Sequence, residues 1–235
     1  MKTSHFSRAV SAIANGLLPQ DCLLCQGSAR DALLCGACLD AVPRLPAHCP
    51  QCALPMHDGA RCGACIRRPP HFDASFVACR YAFPLDRLMQ AYKYGNVLAL
   101  ATLFAALLAE VVGDSPKVDM IISLPLAPQR LRERGFNQSQ EIARKLGVRT
   151  GIQVDADAAV RVRETAVQVE LPIGGRARNV RNAFGASAAV IGRRVAVVDD
   201  VMTTGATLDE LARTLKSHGA LYVENWVVAR ALLDP

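Results

Sequence analysis

The sequence predicts an α/β fold, a mostly parallel β-sheet flanked by helices, with a small cysteine-rich module in front of it. Short apolar segments alternate with helical patterns between residues 74 and 229, which is typical of parallel strands covered on both faces. Eight of the nine cysteines lie before residue 66, in a segment without a sustained apolar period. With 235 residues, 51% of them hydrophobic, the chain is long enough for one such domain and a small appendage.

Composition divides the chain into three segments. We expect residues 1–20 to form an arm or a short helix, and residues 21–70, rich in Cys, Pro and Gly, to form loops held together by metal rather than by a core. Two arginines and two prolines at residues 67–70 mark the boundary with an α/β domain at residues 71–235. In that domain we predict strands at 74–81, 118–124, 194–198 and 222–229, and helices at 85–92, 98–112, 138–146 and 207–217.

The cysteines of residues 21–70 form four C-x-x-C pairs: Cys22/Cys25, Cys35/Cys38, Cys49/Cys52 and Cys62/Cys65. A C-x-x-C turn directs two thiolates at one metal ion and two turns complete a tetrahedral site, so the pairs predict two structural Zn²⁺ ions. The repeated spacing favours sequential use of the pairs and resembles a double zinc ribbon; the alternative is a cross-braced arrangement in which alternate pairs share an ion. His48, His57 and His71 are expected to be solvated, and Cys79 to be a core residue.

Hydropathy and charge exclude some classes of protein. The longest apolar run, residues 97–108, is shorter than the roughly 20 residues that span a membrane, so it predicts a buried helix. No apolar stretch with a small-residue cleavage site opens the sequence, so we expect a cytoplasmic location and metal-bound rather than disulfide-bonded cysteines. The net charge of +6 would fall to about +2 with two Zn(Cys)₄ centres, so basicity is weak evidence for nucleic-acid binding.

A second motif follows the predicted strand at 194–198. Asp199 and Asp200 come at its carboxyl end, and a short loop with Thr203, Thr204 and Gly205 leads into the next helix. Strand carboxyl ends gather ligands in open α/β sheets, and a helix N-terminus offers N–H groups to a phosphate. Donors for a phosphate beside carboxylates for sugar hydroxyls or hydrated Mg²⁺ predict a site for a ribose 5-phosphate. The alternative is structural: the acids cap a loop and Thr207 caps the helix.

The whole segment 195–207 closely resembles the phosphoribosyl pyrophosphate (PRPP) signature of type I phosphoribosyltransferases. Three further segments, 92–95, 125–138 and 178–184, together with the cysteine pairs, resemble the ComF family of competence-associated phosphoribosyltransferase-like proteins. The resemblance implies a type I phosphoribosyltransferase-like fold behind a double zinc ribbon, with Mg²⁺ accompanying PRPP. It places PRPP against residues that all lie in the motif: Asp199, Asp200, Met202, Thr203, Thr204, Gly205, Ala206 and Thr207.

An arginine-rich loop follows the predicted strand at 118–124. It carries Arg130, Arg132 and Arg134, and guanidinium groups match the oxygens of pyrophosphate. The corresponding loop of type I enzymes contacts pyrophosphate, so the resemblance assigns Arg130 and Arg134 to that role, with Lys93 as a partner. The alternative is a solvated charge run in which residues 135–137 form a turn and a helix cap. Three further arginines, Arg176, Arg178 and Arg181, are candidates either for the substrate side or for pairs with surface acids, and Asn179 is a candidate either for reading a base or for capping a helix.

Two hypotheses for function follow. The first is a Mg²⁺-dependent phosphoribosyltransferase that displaces pyrophosphate from ribose C1. The second is a PRPP-sensing protein without catalysis, whose cysteine module binds single-stranded DNA or a DNA-uptake protein. Arg61, Arg67 and Arg68 are available for phosphates, but residues 21–70 contain no Phe, Tyr or Trp on which bases would stack, which weighs against autonomous DNA binding by the module.

Overall fold

The computed structural model describes residues 20–30, 32–113, 118–163 and 180–232. The arm predicted for residues 1–20 therefore lies outside the described residues except for Gln20, as do Arg176, Arg178 and Asn179. The strands are β1 Gln20–Asp21, β2 Ser28–Arg30, β3 Ala74–Arg80, β4 Met120–Ser123, β5 Ala159–Arg161, β6 Phe184–Ala186, β7 Arg194–Met202 and β8 Tyr222–Arg230. The helices are α1 Gly36–Asp40, α2 Gly63–Arg67, α3 Leu85–Tyr94, α4 Leu100–Val112, α5 Pro128–Arg134, α6 Gln138–Thr150 and α7 Ala206–Ser217, with a short 3₁₀ helix at Ala188–Val190.

A parallel sheet organises the domain, as the sequence predicts. Four strands lie in the order β3-β8-β7-β4, and every neighbouring pair is parallel. The apolar residues of β7 alternate between the two faces: Val195 and Val197 pack with α7 and the β5-β6 hairpin, whereas Ala196 and Val198 pack with α3, α4 and α6. Helices or a hairpin thus cover both faces, which explains the nearly continuous apolar character of the central strands.

The cysteine module, residues 21–70, covers the outer edge of β3. Backbone amides of Leu45 and Ser75 donate to the carbonyls of Ala78 and Pro50, and Arg80 N donates to the Pro43 carbonyl. These bonds satisfy a strand edge that would otherwise be exposed. The first half of the module packs into the core beside α3 and α4, and the second half packs, through Ala53, on the opposite face of the sheet.

Three elements differ from the sequence prediction, and the simplest difference is that α6 continues past Leu146 to Thr150. The arginine-rich segment is the short helix α5 rather than a loop, because Pro128 occupies its first turn and Gly135, with a φ of 77°, ends it in the left-handed conformation. Strand β7 continues past Val198 to Met202, so the two acids lie within the strand. Among the described residues, no helix has both the length and the apolar character to cross a membrane.

Candidate functional site

The two acids of β7 lie side by side and are largely buried, Asp199 at 8% and Asp200 at 9% exposure. Asp199 Oδ1 accepts a hydrogen bond from Ser139 Oγ at 3.1 Å and one from the Asp200 amide at 2.8 Å. Burial raises the pKa of Asp199 above its ordinary value, and the neighbouring charge of Asp200 adds to the effect. A carboxylate that is so shielded from solvent is stabilised by a hydrogen-bond donor or by a cation that balances its charge.

Lys93 forms an ion pair with one of these two acids. Its Nζ is 3.0 Å from Asp200 Oδ1, and both side chains are mostly buried. The neighbours of Lys93 fix its position, since Tyr92 is fully buried and donates from its hydroxyl to the Gln138 carbonyl at 2.9 Å. The structure thus brings three of the predicted site residues, Lys93, Asp199 and Asp200, into one cluster.

The segment after β7 forms a tight turn at residues 203–205 that opens α7. Gly205 is the N-cap residue, with a φ of 81°, and Thr204 Oγ1 accepts from the Ala206 amide at 3.3 Å. Thr207 is therefore not the cap, because the helix begins at Ala206. The first amide to bond within the helix is that of Asp209, to the Gly205 carbonyl, so the amides of residues 206–208 have no acceptor within the helix and lie in its first turn, where anions bind.

The predicted pyrophosphate arginines occupy different surroundings. Arg134 donates to Gln138 Oε1 at 3.0 Å and to the Tyr94 hydroxyl at 3.3 Å, and its guanidinium lies 5.3 Å from the Tyr94 ring centroid. Arg130 is half-buried on the same helix, near Arg161 of β5. The pKa of Arg161 is lowered first by burial and then by the charges of Arg130 and Arg163.

Sequence reasoning missed a residue that holds Asp199 in place. Ser139, in the first turn of α6, is the donor to Asp199. Asn137 caps that helix, accepting from the Ser139 amide at 3.0 Å, and its side-chain amide donates to the Leu124 carbonyl at 3.1 Å at the end of β4. The turn-and-cap alternative is therefore correct for residues 135–137, and the same residues also help to build the site.

Arg230 was also missed, and it lies between the cysteine module and the turn after β7. Its side chain is 7% exposed at the end of β8. Nε donates to the Cys52 carbonyl at 3.1 Å, and Nη1 donates to the Met202 carbonyl at 3.1 Å and to the Thr203 carbonyl. The only sequence signal is an arginine that follows the apolar run 226–229 at the end of β8.

The eight cysteines of the module form two groups of four. Within each group all the Sγ atoms lie within 4.8 Å of one another, and the groups are Cys22, Cys25, Cys35 and Cys38, and Cys49, Cys52, Cys62 and Cys65. The pairs are therefore used sequentially, and the cross-braced alternative is wrong. Four thiolates at this spacing are the donor set of a structural zinc ribbon.

The neighbouring residues of the module have other roles. Among the described residues, each group consists of cysteines alone. His71 is not merely solvated, since its amide and Nδ1 lie 2.6 and 3.0 Å from Asp209 Oδ1 in the first turn of α7. Cys79 is fully buried in the core, as predicted. A groove of about 830 Å³ separates the second cysteine group from α7 and is lined by Cys52, Cys65, Arg68, Gly205 and Arg213, among others.

Comparisons with known proteins agree with this architecture. Residues 13–66 match the double zinc ribbon domain, and residues 96–232 match the phosphoribosyl transferase domain. Competence protein F of Haemophilus influenzae is 32% identical over 168 residues, which cover 68% of this chain and 73% of that protein. The chain belongs to the ComF family. DNA utilization protein YhgH of Escherichia coli K12 is 37% identical over 158 residues, which cover 65% of this chain and 70% of that protein.

Other similarities of this ComF-family chain are more distant. Competence protein ComFC of Streptococcus pneumoniae is 25% identical over 143 residues, or 59% of this chain and 60% of that protein. Among solved structures, a purine phosphoribosyltransferase from Pyrococcus horikoshii is 20% identical, covering 61% of this chain and 80% of that one with a TM-score of 0.33. The domain match of this ComF-family chain includes β7 and α7, which carry the two acids and the turn.

Proposed function

We propose that this chain binds PRPP with Mg²⁺ at the junction of β7 and α7. One observation carries the proposal: two buried carboxylates, Asp199 and Asp200, lie directly beside a turn, residues 203–205, that opens a helix. Helix N-terminal amides and threonine hydroxyls suit a 5-phosphate, and carboxylates suit the hydroxyls of a ribose. The two halves together match a phosphorylated ribose better than either a free phosphate or a free sugar.

The acids are suited to a ligand that brings donors or positive charge. The raised pKa of Asp199 means that its charged form is only partly compensated in the free protein. Ribose hydroxyls would supply charge-assisted hydrogen bonds to it, and Lys93 already balances Asp200. Binding would therefore relieve an electrostatic cost within the folded chain.

Magnesium fits the same donor set. Oxygen ligands are those Mg²⁺ prefers, and it is usually held by one or two carboxylates together with phosphate oxygens of a substrate. Asp199 and Asp200 are the residues of this chain that would hold it, directly or through water. When bound, the ion neutralises negative charge on the pyrophosphate group.

We further propose that the chain catalyses transfer at ribose C1. A nucleophile on the acceptor forms a bond to C1 as the bond from C1 to the pyrophosphate oxygen breaks, and pyrophosphate leaves with the electron pair. Arg130 and Arg134 are the cations proposed to balance the charge that develops on it. Arg134 would exchange its contacts with Tyr94 and Gln138 for pyrophosphate oxygens.

The relatives suggest the process that this chemistry serves. Their names refer to DNA utilization and competence, so we propose that PRPP binding here accompanies the handling of imported DNA. A chain that binds PRPP and releases no pyrophosphate with any acceptor would be a sensor rather than an enzyme. A pyrophosphate-release screen across bases and amines separates the two.

Calorimetry with Mg-PRPP tests the binding proposal. The Asp199→Asn/Asp200→Asn variant keeps the shape of both side chains but removes their charge, so it should lose roughly 1.5 to 3 kcal/mol of binding free energy for each charged hydrogen bond lost. The same variant should still bind inorganic phosphate, which needs only the turn. If the folded variant binds Mg-PRPP as tightly as the wild-type protein, the site is assigned wrongly.

A further inference from the structure

The second cysteine group and the phosphate-binding turn share one buried side chain, that of Arg230. We infer that Arg230 is a positioning residue that couples a metal ion at Cys49, Cys52, Cys62 and Cys65 to the turn at residues 203–205, so that this metal sets the affinity for the phosphorylated ribose. The inference rests on the proposed function, because it concerns the same turn.

The hydrogen bonds of Arg230 connect the two regions directly. In the register of the sheet Arg230 lies opposite Met202, the last residue of β7. Its guanidinium donates through Nη1 to the carbonyls of Met202, Thr203 and Ala231, and through Nε to the carbonyl of Cys52. One planar, rigid group therefore fixes both the start of the turn and the backbone of a cysteine in the metal-binding group.

Charge connects the same two regions. A buried guanidinium favours an anion nearby, and the Nε of Arg230 donates directly to the carbonyl of Cys52, one of the metal-binding cysteines. Four thiolates around Zn²⁺ carry a net charge of two minus, whereas four metal-free thiols are neutral. Loss of the metal would therefore leave Arg230 without its counter-charge and weaken its hold on the Met202 and Thr203 carbonyls.

A second chain of contacts runs parallel to the first. Gln51 lies between two of the metal-binding cysteines, and its side-chain amide donates to the Phe72 carbonyl at 3.1 Å. The Gln51 carbonyl accepts from Ser75 Oγ at 2.6 Å on β3. The Phe72 ring lies next to Gly205, where a Cβ atom would be 3.8 Å from Phe72 Cζ. Movement of the second cysteine group would thus reach the turn by two routes.

The first cysteine group offers an internal control. It packs on the opposite face of the sheet, in the core beside α3 and α4. The segment that follows it is tied to α4 by Arg44, whose Nη2 is 2.8 Å from Glu110 Oε2. Neither Arg44 nor Glu110 lines the groove beside the turn. Metal at the first group should therefore leave ligand affinity unchanged.

Linkage requires the coupling to act in both directions. If metal at the second group strengthens PRPP binding, then PRPP must raise the affinity of that group for metal by the same factor. The affected ion is identified by labelling thiols during chelation, because the peptides that contain residues 22–38 and residues 49–65 are separable by mass spectrometry.

The experiment compares zinc-loaded wild-type protein with Arg230→Met, Arg230→Lys and the control Arg44→Met. Calorimetry with Mg-PRPP should give an affinity about tenfold weaker for Arg230→Met, a partial recovery for Arg230→Lys, and less than about a twofold change for Arg44→Met. In wild-type protein, Mg-PRPP should slow thiol labelling of residues 49–65 during chelation and leave that of residues 22–38 unchanged. This protection should disappear in Arg230→Met.

The outcomes separate the inference from the proposed function. If wild-type protein does not bind Mg-PRPP, the proposed function is wrong and the inference falls with it. If wild-type protein binds but Mg-PRPP protects both cysteine groups equally or neither, the coupling through Arg230 is wrong while the PRPP site stands. The protection measurement needs no variant, so a failure of Arg230→Met to fold does not prevent the test.

Discussion

The buried charge of Asp199 lowers the stability of the folded protein. Its carboxyl group is 8% exposed, and its Oδ1 receives hydrogen bonds from Ser139 and from the Asp200 backbone. These two donors lower the pKa of Asp199, but burial and the charge of Asp200 raise it by more. A residue chosen only for stability would not carry a charge here. The proposed ligand-binding role would explain why the acid is present.

Replacing Asp199 by Asn should therefore stabilise the free protein at neutral and higher pH. Folding raises the pKa of the Asp199 carboxyl group, so its charged form lowers the unfolding free energy at pH values above the raised pKa. This cost vanishes as the pH falls toward about 4, where the carboxyl group is protonated in the unfolded chain as well. We expect Asp199→Asn to gain at least about 1 kcal/mol of unfolding free energy at high pH, and nothing near pH 4. Urea unfolding across this range measures it.

Asp200→Asn is the contrasting variant. Asp200 has Lys93 at 3.0 Å, so its replacement removes a favourable ion pair and should bring no comparable gain. Equal gains for the two variants, or a gain for Asp199→Asn that does not change with pH, would contradict this account of the pair.

At the scale of elements, the junction from β7 through the turn to α7 could be predicted largely from local sequence. Four apolar residues, two acids and a Thr/Gly loop before an amphipathic segment give a strand, a turn and a helix in that order. The strand end could not be predicted, because β7 is extended by pairing with β8, as far as Met202 opposite Arg230. Helix α5 was missed for a related reason, since its charged sequence has no apolar period to reveal it.

Gly205→Val should abolish binding of inorganic phosphate and Mg-PRPP alike. Gly205 has a φ of 81°, a conformation that a β-branched residue avoids, and a Cβ atom there would lie 2.7 Å from Met202 Cε. The turn must then change shape, and the amides of the first turn of α7 lose their arrangement. Calorimetry with inorganic phosphate measures this directly.

Gly192→Val provides the matched control for backbone strain. Gly192 has a φ of 70°, so valine is equally disfavoured there, but within the described part of the chain no atom beyond its two neighbours lies within 4 Å of its added Cβ, and the residue precedes β7. Both variants should lose stability, and only Gly205→Val should lose phosphate. Phosphate binding that survives in Gly205→Val would place the anion elsewhere.

At the scale of the molecule, the cysteine module and the α/β domain form one packed unit. The sequence predicted two cysteine groups, because C-x-x-C turns act locally, but not their placement on opposite faces of the sheet. That placement depends on residues 43–50, which pair with the edge of β3 and pass from one face to the other. Such contacts are made by backbone groups and do not depend on particular side chains, so no sequence motif reveals them. No motif reveals the role of Arg230 either. Its side chain donates to backbone carbonyls that lie 27 to 178 residues away in the sequence and to the carbonyl of the neighbouring Ala231.

Purified protein should therefore carry two Zn²⁺ ions per chain, and removal of both should expose the edge of β3. Eight thiolates in two tetrahedral groups account for the ratio, and the module has little core of its own to survive without metal. An uncovered β3 edge presents unpaired N–H and C=O groups to other chains, so we expect chelation to cause self-association. Elemental analysis gives the ratio, and light scattering before and after chelation under reducing conditions gives the association. Metal-free reduced protein that stays monomeric, or disulfides mapped among these cysteines, would show that something other than metal holds the module on the sheet.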